Sequence, residues 1–439
     1  MLEAASKPDQ YRALGFSTFA FTVCFAVWTI FSIIGVRIQQ ELGLSETEFG
    51  ILVATPVLTG SISRIFLGVW TEQLGGRLIY TLQMLLTAGC TWLLSSANSY
   101  PLFLLAALGV GFAGGSFIVG IAYTSRWFSK ERQGTALGIF GAGNVGAAVT
   151  NFGAPFLVVA FGWQQTSQIY AVVLAITAVL FYLLAKDDPA LVRRRKQGEK
   201  PPSATNQLKP LKNIQVWRFA TYYFFVFGGF VALASYLPRF YVGAYGLELV
   251  LAGMLAAAYS LPGSVFRALG GWMSDIWGAR AVMYATFIVS LICLFFMSYP
   301  ETRYTVQGID GPIEFTIRLN LVVFVILTII LGFMMSLGKA AVYKHIPVYY
   351  PEHVGSVGGL VGMIGGLGGF FLPIAFGILN DWLKVWTSSF MLLFVLVLIS
   401  TVWMHLAIRR AEHRRHPQLA GERYLSDVPD QPYVDEDKS

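Results

Sequence analysis

Runs of about twenty apolar residues alternate with short polar segments along most of this 439-residue chain. A helix of that length spans the ~30 Å hydrocarbon core of a bilayer, so each run predicts a transmembrane helix. We place twelve spans at residues 14–36, 48–70, 78–97, 101–125, 133–160, 166–185, 217–240, 248–272, 280–299, 318–343, 354–379 and 385–408.

A polar segment between the sixth and seventh spans divides the chain into two halves. We expect an N-terminal six-helix half at 1–185, a basic cytoplasmic linker at 186–216, a C-terminal six-helix half at 217–408, and a disordered cytoplasmic tail at 409–439. The predicted fold class is an all-α membrane protein with twelve transmembrane helices in two six-helix repeats.

Charge is scarce and unevenly placed. Only 13% of the residues are charged, against about 25% in soluble domains, which excludes a soluble protein. Of the 31 lysines and arginines, 23 fall in loops and ends on one side of the predicted spans, five on the other side, and three within spans. Basic loops stay in the cytoplasm, so we expect a multi-pass protein of the plasma membrane, or bacterial inner membrane, with both termini cytoplasmic.

The same placement accounts for the net charge of +7. A basic surface at the membrane attracts anionic lipid headgroups, and it requires no nucleic acid partner. The three cysteines lie within apolar runs, and the five histidines show no metal-ligand spacing within a span. We therefore expect neither a metal nor another cofactor.

An internal repeat relates residues 58–77 to residues 261–280 without a gap. The shared positions include a Leu-x-Gly-Ser start, a mid-span arginine and the pattern G-x-x-x-[D/E]-x-x-G-x-R. The last pattern is formed by Gly68, Glu72 and Arg77 in the first copy and by Gly271, Asp275 and Arg280 in the second. Parallel repeats of this kind place a substrate site near the middle of the membrane, where the halves meet.

Arg64 and Arg267 are the repeated mid-span arginines. Arg64 lies eight residues before Glu72, roughly 12 Å from the end of its helix and near the bilayer centre. A buried arginine needs a partner, yet no Asp or Glu falls in the interior of a predicted span. Two cations without protein counter-ions predict a site for an anion, and they disfavour transport of cations.

Lys339 is the third cation within a predicted span, and two interpretations are open. Its side chain could extend along the helix so that the ammonium reaches the membrane surface near Lys344. Alternatively, Lys339 lies on the ion path, where a buried lysine responds to substrate or protons.

Glycine is concentrated in the fifth and eleventh predicted spans, at residues 134–146 and 355–369. Small residues at this spacing allow helices to pack at backbone distance. Such stretches also leave backbone amides accessible to a small ligand, and Asn144 adds a side-chain donor. The candidate glycines are Gly141, Gly143, Gly146, Gly362, Gly365 and Gly366.

The repeated loop pattern resembles the signature of the major facilitator superfamily. With the arginine pair and the two glycine stretches, the whole chain resembles the nitrate/nitrite porter family within it. The resemblance implies the major facilitator fold, with Arg64 and Arg267 holding the anion and Asn144 donating to it.

The resemblance extends to two aromatic segments. Phe117, after Gly-Gly-Ser, matches a segment that supplies one aromatic wall of the site. Tyr223 and Phe227 match a segment that supplies a tyrosine donor and a second wall.

These observations predict a secondary active transporter of nitrate, nitrite or both that works by alternating access and is a monomer. Protons are candidate co-transported ions, so proton-coupled symport and nitrate/nitrite exchange are both open. The alternatives are a transporter of another small anion, such as phosphate or a carboxylate, and a non-transporting anion sensor. An enzyme is disfavoured because no nucleophile, metal or acid–base set is apparent.

Overall fold

The computed structural model describes residues 6–128, 130–187, 189, 192, 214–349 and 354–415. Six helices form the first half. They are α1 (Lys7–Trp28 with Phe31–Leu42), α2 (Glu46–Leu74), α3 (Gly76–Leu94), α4 (Tyr100–Val110, the 3₁₀ turn Gly111–Gly115 and Ser116–Ser125), α5 (Lys130–Gly141, the 3₁₀ turn Ala142–Val145 and the first part of Gly146–Leu184) and α6 (163–184).

The second half contains six more helices and one β-hairpin. They are α7 (Ile214–Tyr223, the π-helical turn Phe224–Gly229 and Phe230–Tyr245), α8 (Leu249–Ser260, Pro262–Val265 and Arg267–Trp277), α9 (Ala279–Met297), the strands β1 (Thr302–Gly308) and β2 (Gly311–Ile317), α10 (Leu321–Tyr349), α11 (Val354–Leu383) and α12 (Ser388–Arg415).

Twelve spans cross the bundle in the described ranges, as the sequence predicts. Eight helical segments are long and apolar enough to cross a membrane, and the two parts of α8, bent by 42°, make a ninth. One of the eight contains both α5 and α6, which separate at Gly162, where φ is 82°. The helices α2 and α3 complete the twelve.

An even number of spans places the two ends of the described chain at one end of the bundle, which we call the termini end. The opposite end carries the β-hairpin, and we call it the hairpin end. The hairpin lies where we expected a loop before the tenth span. Most of the predicted linker and tail lies outside the described residues, so the domain boundaries stay a prediction.

The repeat is visible in the backbone. Gly75 ends α2 with φ 99° and ψ 148°, and Gly278 ends α8 with φ 83° and ψ 142°. Residues with side chains rarely adopt these angles, so glycine is required at both turns. The two copies of the loop pattern therefore share a conformation as well as a sequence.

Buried aromatic side chains fill the space between the helices, whereas large apolar residues on the outward faces of the spans are exposed. Examples are Phe156 on α5 and Phe296 on α9, each about half exposed. In a protein that crosses a membrane, this apolar outer surface faces lipid.

Polar contacts join the two halves at the hairpin end. Glu46, the first residue of α2, forms an ion pair with Arg239 of α7. The carboxylate of Asp381 on α11 accepts hydrogen bonds from the backbone N–H groups of Glu46 (3.2 Å) and Thr47 (2.7 Å). The N-terminus of a helix of the first half is therefore capped by a side chain of the second half.

This cap predicts the effect of Asp381→Ala. The substitution leaves two N–H groups at the start of α2 without their charged acceptor, and we expect a loss of about 1–3 kcal/mol in the free energy of unfolding. Denaturation of the purified protein measures the change. Asp310→Ala in the exposed hairpin turn is the control and should change the stability by less than about 0.5 kcal/mol. Equal stabilities of the two variants would contradict the capping role.

Candidate functional site

Arg64 lies on α2 at the middle of the bundle and is buried. Its Nη1 donates to the carbonyl oxygen of Gly362 on α11 (2.8 Å), and its Nε donates to that of Gly114 on α4 (3.4 Å). The backbone oxygens fix the guanidinium in place without neutralising its charge.

Arg267 is the first residue of the last segment of α8 and is also buried. Pro262 and the turn at Phe266 interrupt the helix immediately before it, which produces the 42° bend. Among the described residues, Nη1 of Arg267 has no hydrogen-bond partner. One edge of this guanidinium is therefore available to a ligand.

Each arginine reaches the glycine stretch of the opposite half. Arg64 of the first half donates to Gly362 of the second. Conversely, a Cβ atom at Gly141 of the first half would lie 3.2 Å from Nη1 of Arg267 in the second. Gly141 and Gly362 occupy equivalent places in the two stretches, as do Gly138 and Gly359. The contacts thus follow the repeat symmetry.

The ring of Phe117 lies close to both cations. Its ring centroid is 5.5 Å from the Cζ atom of Arg64 and 5.7 Å from that of Arg267. The ring of Phe227 lies 5.6 Å from Arg64 and 6.5 Å from Phe117, with 26° between the two ring planes. Both aromatic residues implied by the resemblance therefore border the arginine pair.

Local departures from α-helical geometry position the remaining site residues. The 3₁₀ turn of α4 ends two residues before Phe117, and that of α5 contains Asn144. The π-helical turn of α7 begins directly after Tyr223 and contains Phe227. Such irregular turns are frequent at functional sites because they direct side chains that a regular helix would place elsewhere.

The π-helical turn packs on the glycine stretch of α11 at backbone distance. A Cβ at Gly365 would lie 2.3 Å from the ring of Tyr223, and one at Gly228 would lie 2.5 Å from the carbonyl oxygen of Gly365. Tyr223 stacks on Phe227, with 5.1 Å between the ring centroids. Glycine at 365 therefore holds the Tyr223–Phe227 pair against the centre of the site.

The other predicted glycines are equally constrained. A Cβ at Gly143 would lie 2.5 Å from the ring of Phe21, and one at Gly146 would lie 2.2 Å from the carbonyl oxygen of Thr22, both on α1. A Cβ at Gly366 would lie 3.3 Å from Nη1 of Arg64.

Asn144 is completely buried, yet neither its amide nitrogen nor its amide oxygen has a hydrogen-bond partner in the part of the chain that the structure describes. A buried amide without partners destabilises the folded protein by about 1–3 kcal/mol. A ligand that accepts a hydrogen bond from its N–H group would therefore stabilise the site. Among the described residues, the Asn144 amide therefore has a donor available to a ligand.

Lys339 does not reach the membrane surface. Its side chain is wholly buried, and Nζ donates to the carbonyl oxygen of Gly263 in the interrupted part of α8 (2.5 Å). The ammonium also lies 3.5 Å from the ring centroid of Phe230. Lys339 thus contacts the helix break that precedes Arg267.

The repeated loop patterns lie at the termini end, away from the arginine pair. Arg77 donates to the carbonyl oxygen of Tyr182 on α6 (2.6 and 2.9 Å), and Asp275 pairs with Lys344 of α10. The side chain of Glu72 lies outside the described residues. These patterns connect neighbouring helices and do not line the central site.

Tyr343 on α10 is a site residue that the sequence did not single out. The Cζ atom of Arg267 lies 5.6 Å from its ring centroid, and its hydroxyl donates to the carbonyl oxygen of Gly358 (3.2 Å). It follows Lys339 by four residues, so the two share a helix face. That spacing is the signal that could have identified it.

No ion pair between a carboxylate and Arg64, Arg267 or Lys339 occurs among the described residues. The centre of the protein therefore carries positive charge that only backbone oxygens and aromatic faces solvate. This arrangement favours binding of a small anion.

Comparison with known proteins agrees with this chemistry. Residues 16–309 and 251–431 match the Major Facilitator Superfamily. A protein of Thermus thermophilus described as "Probable nitrate/nitrite antiporter NarK1" is 42% identical over 438 residues, which cover 95% of this chain and 97% of the relative. The "Nitrite extrusion protein" of Bacillus subtilis is 30% identical over 408 residues, which cover 92% of this chain and 97% of the relative.

The fold is similar to that of solved transporters. A bacterial homologue of the human lysosomal transporter Spinster, in an inward-facing and occupied conformation, superposes with a TM-score of 0.69. The match covers 92% of this chain and 98% of that protein at 14% sequence identity. The nucleoside transporter NupG superposes with a TM-score of 0.68 at 13% identity, covering 90% of this chain and 99% of that protein.

The packing of Gly365 predicts the effect of Gly365→Ala. The added methyl group cannot be accommodated unless Tyr223 moves, and we expect the free energy of unfolding to fall by about 1–3 kcal/mol. Gly359→Ala, two turns earlier, is the control because its Cβ would meet nothing within 4 Å. Denaturation of both variants tests the contact, and an unchanged stability of Gly365→Ala would show that Tyr223 is not held by it.

Proposed function

This chain belongs to the nitrate/nitrite porter family of the major facilitator superfamily, and from that membership we propose that it transports nitrate and nitrite across a membrane by alternating access. The chain is accordingly a multi-pass membrane transporter and not an enzyme. The anion binds between the two halves at the middle of the membrane.

One observation supports this assignment above the others: two buried guanidinium groups, one from each half, face the same ring of Phe117. A guanidinium group is planar and can bind a planar oxyanion through two parallel hydrogen bonds. Arg64 and Arg267 hold the anion, and Asn144 donates to it. Tyr223 adds a hydroxyl, while Phe227 with Phe117 forms the walls.

Nitrate and nitrite suit this site better than the other anions considered. Both are small and planar and carry a single charge, so they match a guanidinium edge and the faces of the flanking rings. Phosphate is tetrahedral, and a carboxylate carries an organic group that the glycine-lined contacts leave little room for. The names of the relatives support the same choice.

We propose exchange of nitrate for nitrite as the coupling mode. Exchange needs two similar anions, a cationic site and moving helices, but no titrating carboxylate. The Thermus thermophilus relative carries the description of an antiporter.

We place the termini end in the cytoplasm of the cell and the hairpin end outside. The support is the sequence asymmetry of 23 basic residues on the termini side against five on the other. The ion pair and helix cap at Glu46 then close the outer side of the transport path in this conformation.

The arginine pair provides the direct test. In proteoliposomes loaded with nitrite and supplied with external nitrate, Arg267→Ala and Arg64→Ala should each weaken nitrate affinity at least about 100-fold, because each ionic hydrogen bond contributes about 1.5–3 kcal/mol. Lysine at either position should restore little of the nitrate affinity, since an ammonium group cannot make the bidentate hydrogen bonds of a guanidinium.

Arg12→Ala, at an exposed arginine of the termini end, is the matched control and should exchange nitrate for nitrite normally. Near-normal exchange by a folded Arg267→Ala protein would overturn the anion site. A native protein that exchanges phosphate or a carboxylate but not nitrate would overturn the substrate assignment.

Lys339→Gln tests whether protons take part. The amide can still donate to Gly263, so we expect nitrate/nitrite exchange to remain. Any nitrate accumulation driven by a pH gradient should be lost, because the substitution removes the titratable cation at the helix break. Lys344→Gln on the same helix is the control because Lys344 is exposed and lies at the termini end. Undiminished pH-driven accumulation in Lys339→Gln would remove this residue from the mechanism.

A further inference from the structure

The β-hairpin between α9 and α10 has no counterpart in the first half. There, α3 ends at Leu94 and α4 begins at Tyr100, so five residues make the equivalent connection. In the second half, β1 and β2 form an antiparallel ribbon with Gly308 paired to Gly311 at its turn. The nitrate site makes no use of this insertion.

The ribbon has two chemically different faces, because successive side chains along a strand point to opposite sides. The cross-strand pairs Tyr304–Phe315 and Val306–Ile313 lie on one face, together with Ile317. The pairs Arg303–Thr316, Thr305–Glu314 and Gln307–Pro312 lie on the other. One face is therefore apolar and the other polar.

Nothing in the described chain covers the apolar face. Ile313 is 57% exposed, Val306 is 48% exposed, and Ile309 in the turn is fully exposed. An isolated two-stranded hairpin is marginally stable in water, and an exposed apolar face makes it less favourable still. Apolar surroundings on this face would offset the cost of exposing it to water.

The adjoining helices indicate what those surroundings are. Tyr299 lies just beyond α9, and its hydroxyl group is hydrogen-bonded to that of Tyr304 on the apolar face. Phe295 and Phe296, one turn earlier on α9, and Val322 at the start of α10 are exposed on the lipid-facing surface. The apolar face is thus joined by Tyr304 to the tyrosine that follows the exposed aromatic residues of α9, and aromatic side chains favour the membrane–water interface.

The base of the ribbon is fixed to the bundle. Arg318, directly after β2, lies with its Cζ atom 5.2 Å from the ring centroid of Tyr245 on α7 and donates to the carbonyl oxygen of Ala244 (3.4 Å). It also pairs with Glu301 before β1 (3.6 Å). These contacts fix the position of the base of the ribbon relative to α7.

We propose that the apolar face of the hairpin is a membrane-contact surface, with Val306, Ile309, Ile313 and Phe315 inserted among the lipids at the bilayer surface and the polar face directed to water. The partner is the lipid bilayer itself. The ribbon adds a monotopic contact to the second half and anchors the α9–α10 connection at the bilayer surface.

Spin labels on two adjacent residues of β2 test the proposal. Ile313→Cys places a label on the apolar face, and Glu314→Cys is the matched control on the polar face. Both are made in full-length protein with Cys24, Cys90 and Cys293 replaced by alanine, reconstituted in phosphatidylcholine liposomes. Oxygen concentrates in the bilayer, whereas a nickel chelate stays in water, so the ratio of their collision rates with each label reports its depth.

We expect the ratio of oxygen to nickel collision rates to be several-fold higher for the label at 313 than for the label at 314. Equal nickel access at both positions would place the apolar face in water and overturn the proposal. Spin–spin broadening at 313 between copies would identify a second chain as the occupant, and protection of that label from both reagents would identify a protein contact. Either result would also overturn it.

A spin label at Ile309→Cys, combined with Ile313→Asp, supplies a second measurement. If the apolar face is inserted among the lipids, a charge at position 313 should move the hairpin turn out of the bilayer. The label at 309 should then collide less often with oxygen and more often with nickel. An unchanged ratio would contradict the proposal. The helical circular dichroism of each variant verifies folding, so neither the control nor the depth measurement depends on whether nitrate is the substrate.

Discussion

The burial of two guanidinium groups without carboxylate partners is the constraint on which the rest of the structure depends. Each charge would cost several kcal/mol in a hydrocarbon environment if it were not solvated by other groups. The protein solvates Arg64 with backbone oxygens and surrounds both cations with aromatic faces. The absence of side chains at Gly114 and Gly362 lets their backbone oxygens approach Arg64, and the absence of a side chain at Gly141 leaves space for Arg267. The irregular turns of α4 and α7 then direct Phe117 and Phe227 towards Arg64.

The sequence allowed the spans, the repeat and the arginine pair to be predicted, because each depends on composition or spacing alone. A run of apolar residues determines a span, and two mid-span arginines at one repeat offset imply a shared depth. The position of Lys339 could not be decided in the same way. Whether its ammonium reaches the surface or turns inward depends on the rotation of α10 and on the carbonyl group that the break in α8 makes available at Gly263.

Tyr343 and the hairpin were missed for different physical reasons. The spacing of four residues from Lys339 places Tyr343 on the same helix face, but the rotation of α10 that brings this ring against Arg267 is not encoded in the spacing. The hairpin has a clear alternation of apolar and polar residues, but it is short and lies between two long hydrophobic runs. The helical spans dominate the hydropathy pattern there, so the pattern predicts only a loop between them.

The same arginine pair gives a physical reason for exchange. Both Cζ atoms lie within 6 Å of one phenylalanine centroid, so they are no more than about 11 Å apart. At an effective dielectric constant of about 20, two unit charges at that separation repel by roughly 1.5 kcal/mol, and the repulsion rises as they approach. A bound anion replaces this repulsion with two attractions, so the halves close around the site more readily with an anion than without one. This preference for closing with a bound anion supports the proposed nitrate/nitrite exchange, in which each reorientation carries an anion, and it requires no titrating carboxylate in the described spans.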